Sequence, residues 1–472
     1  MFSLLSSDYK NNYRKTLLLA YPVMLSQLGH IMVGVVDTAM VGQIGTIPQA
    51  AVALANSFYV LVLVFGLGVA YGVTPLVAAA DSSKNYSRNA NLLKHSIIIN
   101  TATGVILFLL LVRLSPTLRL YNQKKEVVDL AIPFLNVMML GMIPLCIFSG
   151  FKQFAEGLSF TRIAMMITLG TNVLNVSLNY LLIFGHCGFP KMGLMGACWG
   201  SFISRMAMAL AMFLYVYYNK HFKIYWRNFN FKNISKDLIK IILALGIPSG
   251  LQWVFELGAF SFAVIMIGWI SPEAQAAHQI ALCIAALTYM MASGLSAATS
   301  VRVGNQLGLK NQKKRIASSL LTAKSVHLGN QLGLKNRKEM RIAGFSSFIL
   351  VLIFMSIASI CIILFRDVLP SIFNQDRKVI SIASSLLVIV AFFQLSDGVQ
   401  SVGLGALRGI KDVRIPTLIT LIAYWGIGLP MSYVFGFMLN MGVQGVWYGL
   451  SLGLATAALL LFWRFNYVSK RI

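Results

Sequence analysis

An all-α integral membrane protein, with twelve transmembrane helices in two pseudo-symmetric six-helix bundles around a central cavity, is the fold this sequence predicts. Three observations support that reading. Of its 472 residues 57% are hydrophobic and 11% charged, with a mean hydropathy of +0.75, whereas soluble domains hold about 25% charged residues. The apolar stretches run unbroken for about the 20 residues a helix needs to cross hydrocarbon, without the alternation over about 10 residues that marks barrel strands. Internal repeats divide the chain into two similar halves.

In chain order the spans fall at 16–43, 50–80, 95–113, 130–155, 163–185, 193–218, 239–270, 276–303, 342–365, 379–406, 415–439 and 442–465. The first carries Pro22 and Asp37, and the seventh carries Pro248 and Glu256. Both prolines should kink or loosen their helices. The fifth holds a stripe of Asn172, Asn175 and Asn179; the sixth opens on "MGLMGACWG" and contains Arg205. The tenth carries Asp397, with Gln394 three residues before it and Ser401 four after; the twelfth opens on "MGVQGVWYG".

Those two glycine-rich openings begin at Met192 and Met441, 249 residues apart. At the front of the halves "LLLAYPVMLSQ" resembles "IILALGIPSGLQ", with Pro22 and Pro248 226 residues apart. A duplicated unit of six spans keeps both halves in the same orientation and sets a cavity between two bundles. The expected organisation is an N-terminal lobe over 1–218, a cytoplasmic linker over 219–238 and a C-terminal lobe over 239–472. A second repeat, "GNQLGLKN" at 304–311 and 329–336, is a tandem duplication of 25 residues. It predicts an enlarged cytoplasmic loop over 304–336, away from the transport route.

Charge orients the chain. If both termini are cytoplasmic, most of the 39 basic residues fall in inner segments, as cytoplasmic loops require. The net charge of +25 is then a topology signal beside anionic lipid, and no motif or basic-aromatic interleaving points to nucleic acid. The opening "MFSLLSSDYKNNYRKTLLLA" lacks a cleavable signal pattern, so the first span should be retained. Five scattered cysteines and six histidines show no metal spacing, and no cofactor is expected.

Of fourteen acids, Asp37, Glu256 and Asp397 fall well inside spans, and Glu156 lies at the end of the fourth; Arg205 is the one comparably placed base. A carboxylate at the centre of a membrane helix costs about 2.5 kcal/mol or more, so such residues usually have a purpose. An acidic interior in a basic protein points to a cationic ligand. Gln252 stands one turn before Glu256, Gln394 shares a face with Asp397, and the asparagine stripe can meet Asp37. Packing pairs are the plain alternative, but three acids beside a cavity favour exchangeable protons or ions.

"VVDTAMVG" (35–42), "AAHQIALCIAALTYMMASGLSAATSVRVGNQLG" (276–308) and "QLSDGVQSVGLGALRG" (394–409) resemble the multidrug and toxic compound extrusion (MATE) family, in particular its NorM-like branch. The resemblance covers essentially the whole chain. It implies a two-lobed antiporter of a bacterial cytoplasmic membrane, expelling organic cations in exchange for inward Na⁺ or H⁺. By position it implies a substrate or proton site at Asp37, Asn175 and Asn179, and a cation site at Glu256 and Asp397, with Gln252 and Gln394 as further oxygens. Two departures stand out: Phe393 where some relatives have Tyr, and the duplication in a loop that relatives keep short. The N-terminal half has no matching acidic pair, since His30 and Phe148 occupy the positions of Glu256 and Asp397. Two buried carboxylates call for a shared proton or a cation, and Na⁺ is the favoured coupling ion.

Other classes fit less well. A lipid-linked oligosaccharide flippase of the same superfamily would need more spans and a basic cavity; a channel would need a ring-like filter. An intramembrane enzyme would need a nucleophile–base or metal constellation. The expected partners are small organic cations and membrane lipid, with the protein a monomer. The 22 methionines and many aromatics suit flexible contact with apolar cations, although most must pack or face lipid.

Overall fold

The computed structural model describes residues 7–120, 125–227, 234–319 and 323–471, which contain helices and no strand. In order the helices are α1 (Ser7–Gly42), α2 (Thr46–Tyr71), α3 (Thr74–Ser82), α4 (Tyr86–Leu114), α5 (Lys125–Leu140), α6 (Met142–Gly157), α7 (Thr161–Phe184), α8 (Leu194–Tyr218) and α9 (Lys223–Arg227). Then come α10 (Lys236–Gly268), α11 (Pro272–Ser319), α12 (Ala323–Leu364), α13 (Leu369–Phe373), α14 (Arg377–Gly409), α15 (Arg414–Leu421), α16 (Leu429–Tyr433) and α17 (Gly442–Arg471). Among the described residues twelve segments are long and apolar enough to span a membrane, as the hydropathy pattern predicts.

Two compact units emerge, Leu25–Gly250 and Met1–Met24 with Leu251–Ile472. The expected lobes, 1–218 and 239–472, overlap these units without coinciding. The linker between them has helical structure at α9, and its residues 228–233 lie outside the described ones. The units divide α1 after Met24 and α10 after Gly250, positions separated by the same 226 residues as Pro22 and Pro248. Each long helix therefore contributes its first part to one unit and its second to the other. Both run as continuous helix through their prolines.

In the unit Leu25–Gly250 the first part of α10 docks on α2 through two glycine pairs one turn apart. A Cβ on Gly72 would lie 2.7 Å from the Gly246 nitrogen, one on Gly250 2.7 Å from the Phe65 carbonyl, and one on Gly68 would strike Gly250. Such small-xxx-small pairs let backbones approach where no hydrophobic force drives helices together. The start of α10 is held by His95, whose Nδ1 lies 2.7 Å from the Asn91 carbonyl and whose Nε2 accepts the Ser235 N–H at 2.9 Å. Around this dock α2, α4, α5 and α8 bury a core that includes Tyr59, Leu111, Phe134, Met139 and Cys198. α7 ends at Gly185, whose left-handed φ of 76° lets Gly185 and His186 both donate to the Leu181 carbonyl.

In the other unit the first part of α1 lies on α11. Ala20 and Met24 join the core of Phe348, Val351, Leu461 and Phe465, and a Cβ on Gly294 would be 2.8 Å from the Met24 nitrogen. Arg302 of α11 donates to the Asn12 carbonyl at 2.9 Å and also bonds Thr16 Oγ1 and Asn12 Oδ1. The segment expected as a loop after the eighth span is largely helical: α11 continues to Ser319 and α12 begins at Ala323. Residues 320–322 of that segment lie outside the described ones. The eleventh span is irregular, with π-helical turns at Ile422–Gly428 and Val434–Met438 on either side of α16. Pro430 in the first turn of α16 denies the ladder one donor, and a π-turn re-registers the carbonyls around it.

Candidate ion and substrate sites

Asp37 sits in the last turns of α1, in the unit Leu25–Gly250. Its Oδ1 accepts a hydrogen bond of 2.6 Å from Asn179 Nδ2 on α7. The same amide approaches Asn175 Oδ1 at 3.3 Å, and Asn175 Nδ2 reaches Ser204 Oγ at 3.1 Å and Ser201 Oγ at 3.3 Å on α8. Asn179 is fully buried, and its Oδ1 has no hydrogen-bond partner. Gly200 makes this possible, because a Cβ there would strike that oxygen. Of the expected trio, then, Asn179 touches the carboxylate and Asn175 holds Asn179 in place. Asp37 itself is half-buried.

Arg205 is occupied. Its Nη1 donates to Tyr59 Oη at 2.6 Å and to the Met138 carbonyl at 3.4 Å, and its guanidinium lies 5.1 Å from the centre of the Tyr59 ring. The break between α5 and α6 at Gly141 admits it, since a Cβ there would come within 2.9 Å of Nη1. Arg205 is half-buried, and among the described residues Lys94, Lys152, Arg302 and Arg408 are buried bases that the sequence reading did not single out. Lys152 on α6 lies 3.9 Å from Glu156, one turn on, and donates to Ser26 Oγ at 3.4 Å. Beside it Thr74 donates to Gln153 Oε1 at 2.6 Å. The i,i+4 spacing of Lys152 and Glu156 was the signal that could have shown this pair.

In the unit built on α11 and α14, Glu256 lies half-buried on α10 and Asp397 is buried on α14, within electrostatic reach of it. The two expected glutamines differ. Gln252 Nε2 turns away to Thr417 Oγ1 at 3.1 Å and the Val413 carbonyl at 3.4 Å, leaving Oε1 unpartnered. Gln394 is fully buried with neither amide atom bonded. Sequence reasoning missed Tyr424 and Gln400. Tyr424, in the π-helical turn, is fully buried and neighbours Glu256. Its Oη lies 2.9 Å from Gln400 Nε2 and 3.1 Å from Gln400 Oε1. Phe393 packs edge-on to Trp447 and Phe260, and Phe260 also meets Tyr424 at 6.0 Å.

The family model MatE matches residues 22–181, 248–316 and 315–434. The chain belongs to the MatE family. One model thus matches both halves, as the internal repeat requires, and its two matches in the second half meet at 315–316, between the copies of "GNQLGLKN". Full-length relatives include the probable multidrug resistance protein NorM of Rhizobium meliloti (strain 1021), 31% identical over 99% of this chain and 96% of that protein. Another NorM, of Pseudomonas putida, is 32% identical over 96% of this chain and 94% of that one. The MatE fold is shared with the eukaryotic MATE transporter AtDTX14, with a TM-score of 0.84 at 19% identity over 98% of this chain and 99% of that one. An outward-facing multidrug resistance MATE transporter of the MOP superfamily superposes at 0.85 and 18% identity, over 98% and 96% of the two chains.

Proposed function

We propose that this protein is a secondary active multidrug efflux antiporter, which exports organic cations across a bacterial cytoplasmic membrane in exchange for inward Na⁺ or H⁺. The carrying observation is the pairing of two acids, Glu256 and Asp397, inside the spans of a MatE chain. Lys152 and Arg205 are taken up by Glu156, Ser26 and Tyr59, whereas buried Asp397 faces the like charge of Glu256, which has the neutral Tyr424 as a neighbour. Desolvated anions of this kind need a cation or a proton. Asp37, held by Asn179, is the corresponding acceptor for a drug or proton in the other unit. The NorM relatives are named for multidrug resistance, which supports the same reading.

Ion and drug would be linked through one conformational equilibrium, each favouring the state it binds better. Glu256 and Asp397 give two anionic oxygens, and Na⁺ is the coupling ion we favour. The protein acts as a monomer with both termini cytoplasmic, and as a transporter rather than an enzyme. Ethidium or norfloxacin accumulation in cells with and without an ion gradient tests the function. Gradient-dependent exclusion is expected; unchanged accumulation in both conditions would overturn it in favour of lipid-linked cargo. In proteoliposomes at clamped pH with a protonophore, an imposed Na⁺ gradient should drive drug movement, and Glu256→Gln or Asp397→Asn should stop it. Movement driven by a pH gradient alone would reassign the ion to H⁺.

A further inference from the structure

The Glu256/Asp397 pair has a third member with unusual hydrogen-bonding freedom. Tyr424 Oη lies within bonding distance of both ends of the same amide, Gln400 Nε2 at 2.9 Å and Oε1 at 3.1 Å. A phenol carries one proton, and its position is free to turn. When the proton points at Glu256, the phenol oxygen accepts from Gln400 Nε2. When it points at Gln400 Oε1, the phenol oxygen presents a lone pair toward Glu256. Two oxygen lone pairs facing each other repel, so the second arrangement is favourable only with a cation, or a proton on the carboxyl, between them.

The setting fixes this geometry. Tyr424 and Gln400 are 0% and 1% exposed, so water does not compete for the phenol. The ring is placed by a π-helical turn, which shifts side chains off the α-helical register and recurs at functional sites. Phe260 packs against it at 6.0 Å, and Trp425, the next residue, donates its indole N–H to the Phe255 carbonyl at 3.0 Å, beside Glu256. Phe393 faces Phe260 and Trp447 and offers no oxygen. Gln252 has its amide nitrogen committed to α15.

We infer that Tyr424, turned by Gln400, is the neutral oxygen ligand that completes the Glu256/Asp397 cation site and sets its affinity for Na⁺. The inference rests on the coupling role assigned to that pair. It deepens it by naming a ligand on the eleventh span, supplied where the tenth carries Phe393. Hard monovalent cations take oxygen ligands, and a phenol that can face either way stabilises the empty carboxylate as a donor and the occupied site as an acceptor.

The test measures drug efflux from proteoliposomes against Na⁺ concentration at one pH, for the unaltered protein, Glu256→Gln, Tyr424→Phe and Gln400→Leu. Tyr424→Phe should raise the Na⁺ concentration for half-maximal efflux about tenfold, the effect of one lost ligand, with the drug concentration for half-maximal efflux changed less than about twofold. Gln400→Leu should act in the same direction and more weakly, because it leaves the oxygen but not its orientation. Should Tyr424→Phe fail to insert, Gln400→Leu decides alone. A Na⁺ response lost in Glu256→Gln but unshifted in Tyr424→Phe, or in Gln400→Leu where only that variant is made, overturns this inference and leaves the coupling reading standing. A Na⁺ response that survives in Glu256→Gln, or is missing from the unaltered protein, overturns the coupling reading and the ligand with it.

Discussion

At Asp37 a hydrogen bond from Asn179 to Oδ1 orients a half-buried carboxylate. Replacing Asp37 with Asn keeps the shape and removes the charge, so efflux should be abolished while the amount of protein in the membrane, read by immunoblot, is unchanged. Gly200 gives a subtler handle. Gly200→Ala would push on Asn179 Oδ1 and turn the amide off Asp37. A hydrogen bond to a charged group contributes about 1.5–3 kcal/mol when buried, and less for half-exposed Asp37, so a fall in efflux of about tenfold is expected. Added to Asp37→Asn, the same change should cost nothing further, because both remove one interaction. Additive losses would show that Gly200 acts elsewhere.

Among the elements, α1 and α10 carry the most distinctive packing. The dock of α10 on α2 is made of glycine faces, and Gly246→Leu would force a side chain into the Val69 carbonyl, 2.6 Å from where its Cβ must stand. Overpacking of this kind costs about 1–3 kcal/mol. The apparent melting temperature in detergent should fall by several degrees, and an unchanged value would refute the dock. On α11, Arg302 ties the first part of α1, and the second copy of the repeat has His327 at the matching position. Arg302→Ala should lower stability by about 2 kcal/mol, the worth of a charged hydrogen bond. A deletion of 25 residues that leaves one "GNQLGLKN" and keeps Arg302 should retain efflux, as the seam between family matches at 315–316 suggests.

For the molecule as a whole, the exchange of half-helices sets what each part needs. The unit Leu25–Gly250 includes the first part of α10, and the other unit includes Met1–Met24. A chain cut within 228–233 separates each half from a helix segment that its core buries. Co-expressed halves should copurify and restore efflux, while either one alone should be degraded. Stable accumulation of a lone half would contradict the exchange.

Much of this molecule is written in local pattern. Hydropathy places twelve spans because hydrocarbon excludes unpaired backbone, and that constraint acts on each segment separately. Asp37, Glu256 and Asp397 stand out because a charge in a span is costly wherever its neighbours lie. Matching strings such as "MGLMGACWG" and "MGVQGVWYG" announce the duplication by themselves. Other features depend on which helix meets which, and only the tertiary structure decided them. Gly68 and Gly72 are ordinary glycines until α10 arrives against them. Gln252 reads as company for Glu256 by spacing, yet Thr417 on α15 claims its amide. Tyr424 is one of seventeen tyrosines until a π-helical turn aims it at Gln400 and Glu256. A side chain's cost of burial is a property of its own segment, but its partner is chosen by the packing of segments far apart in the chain.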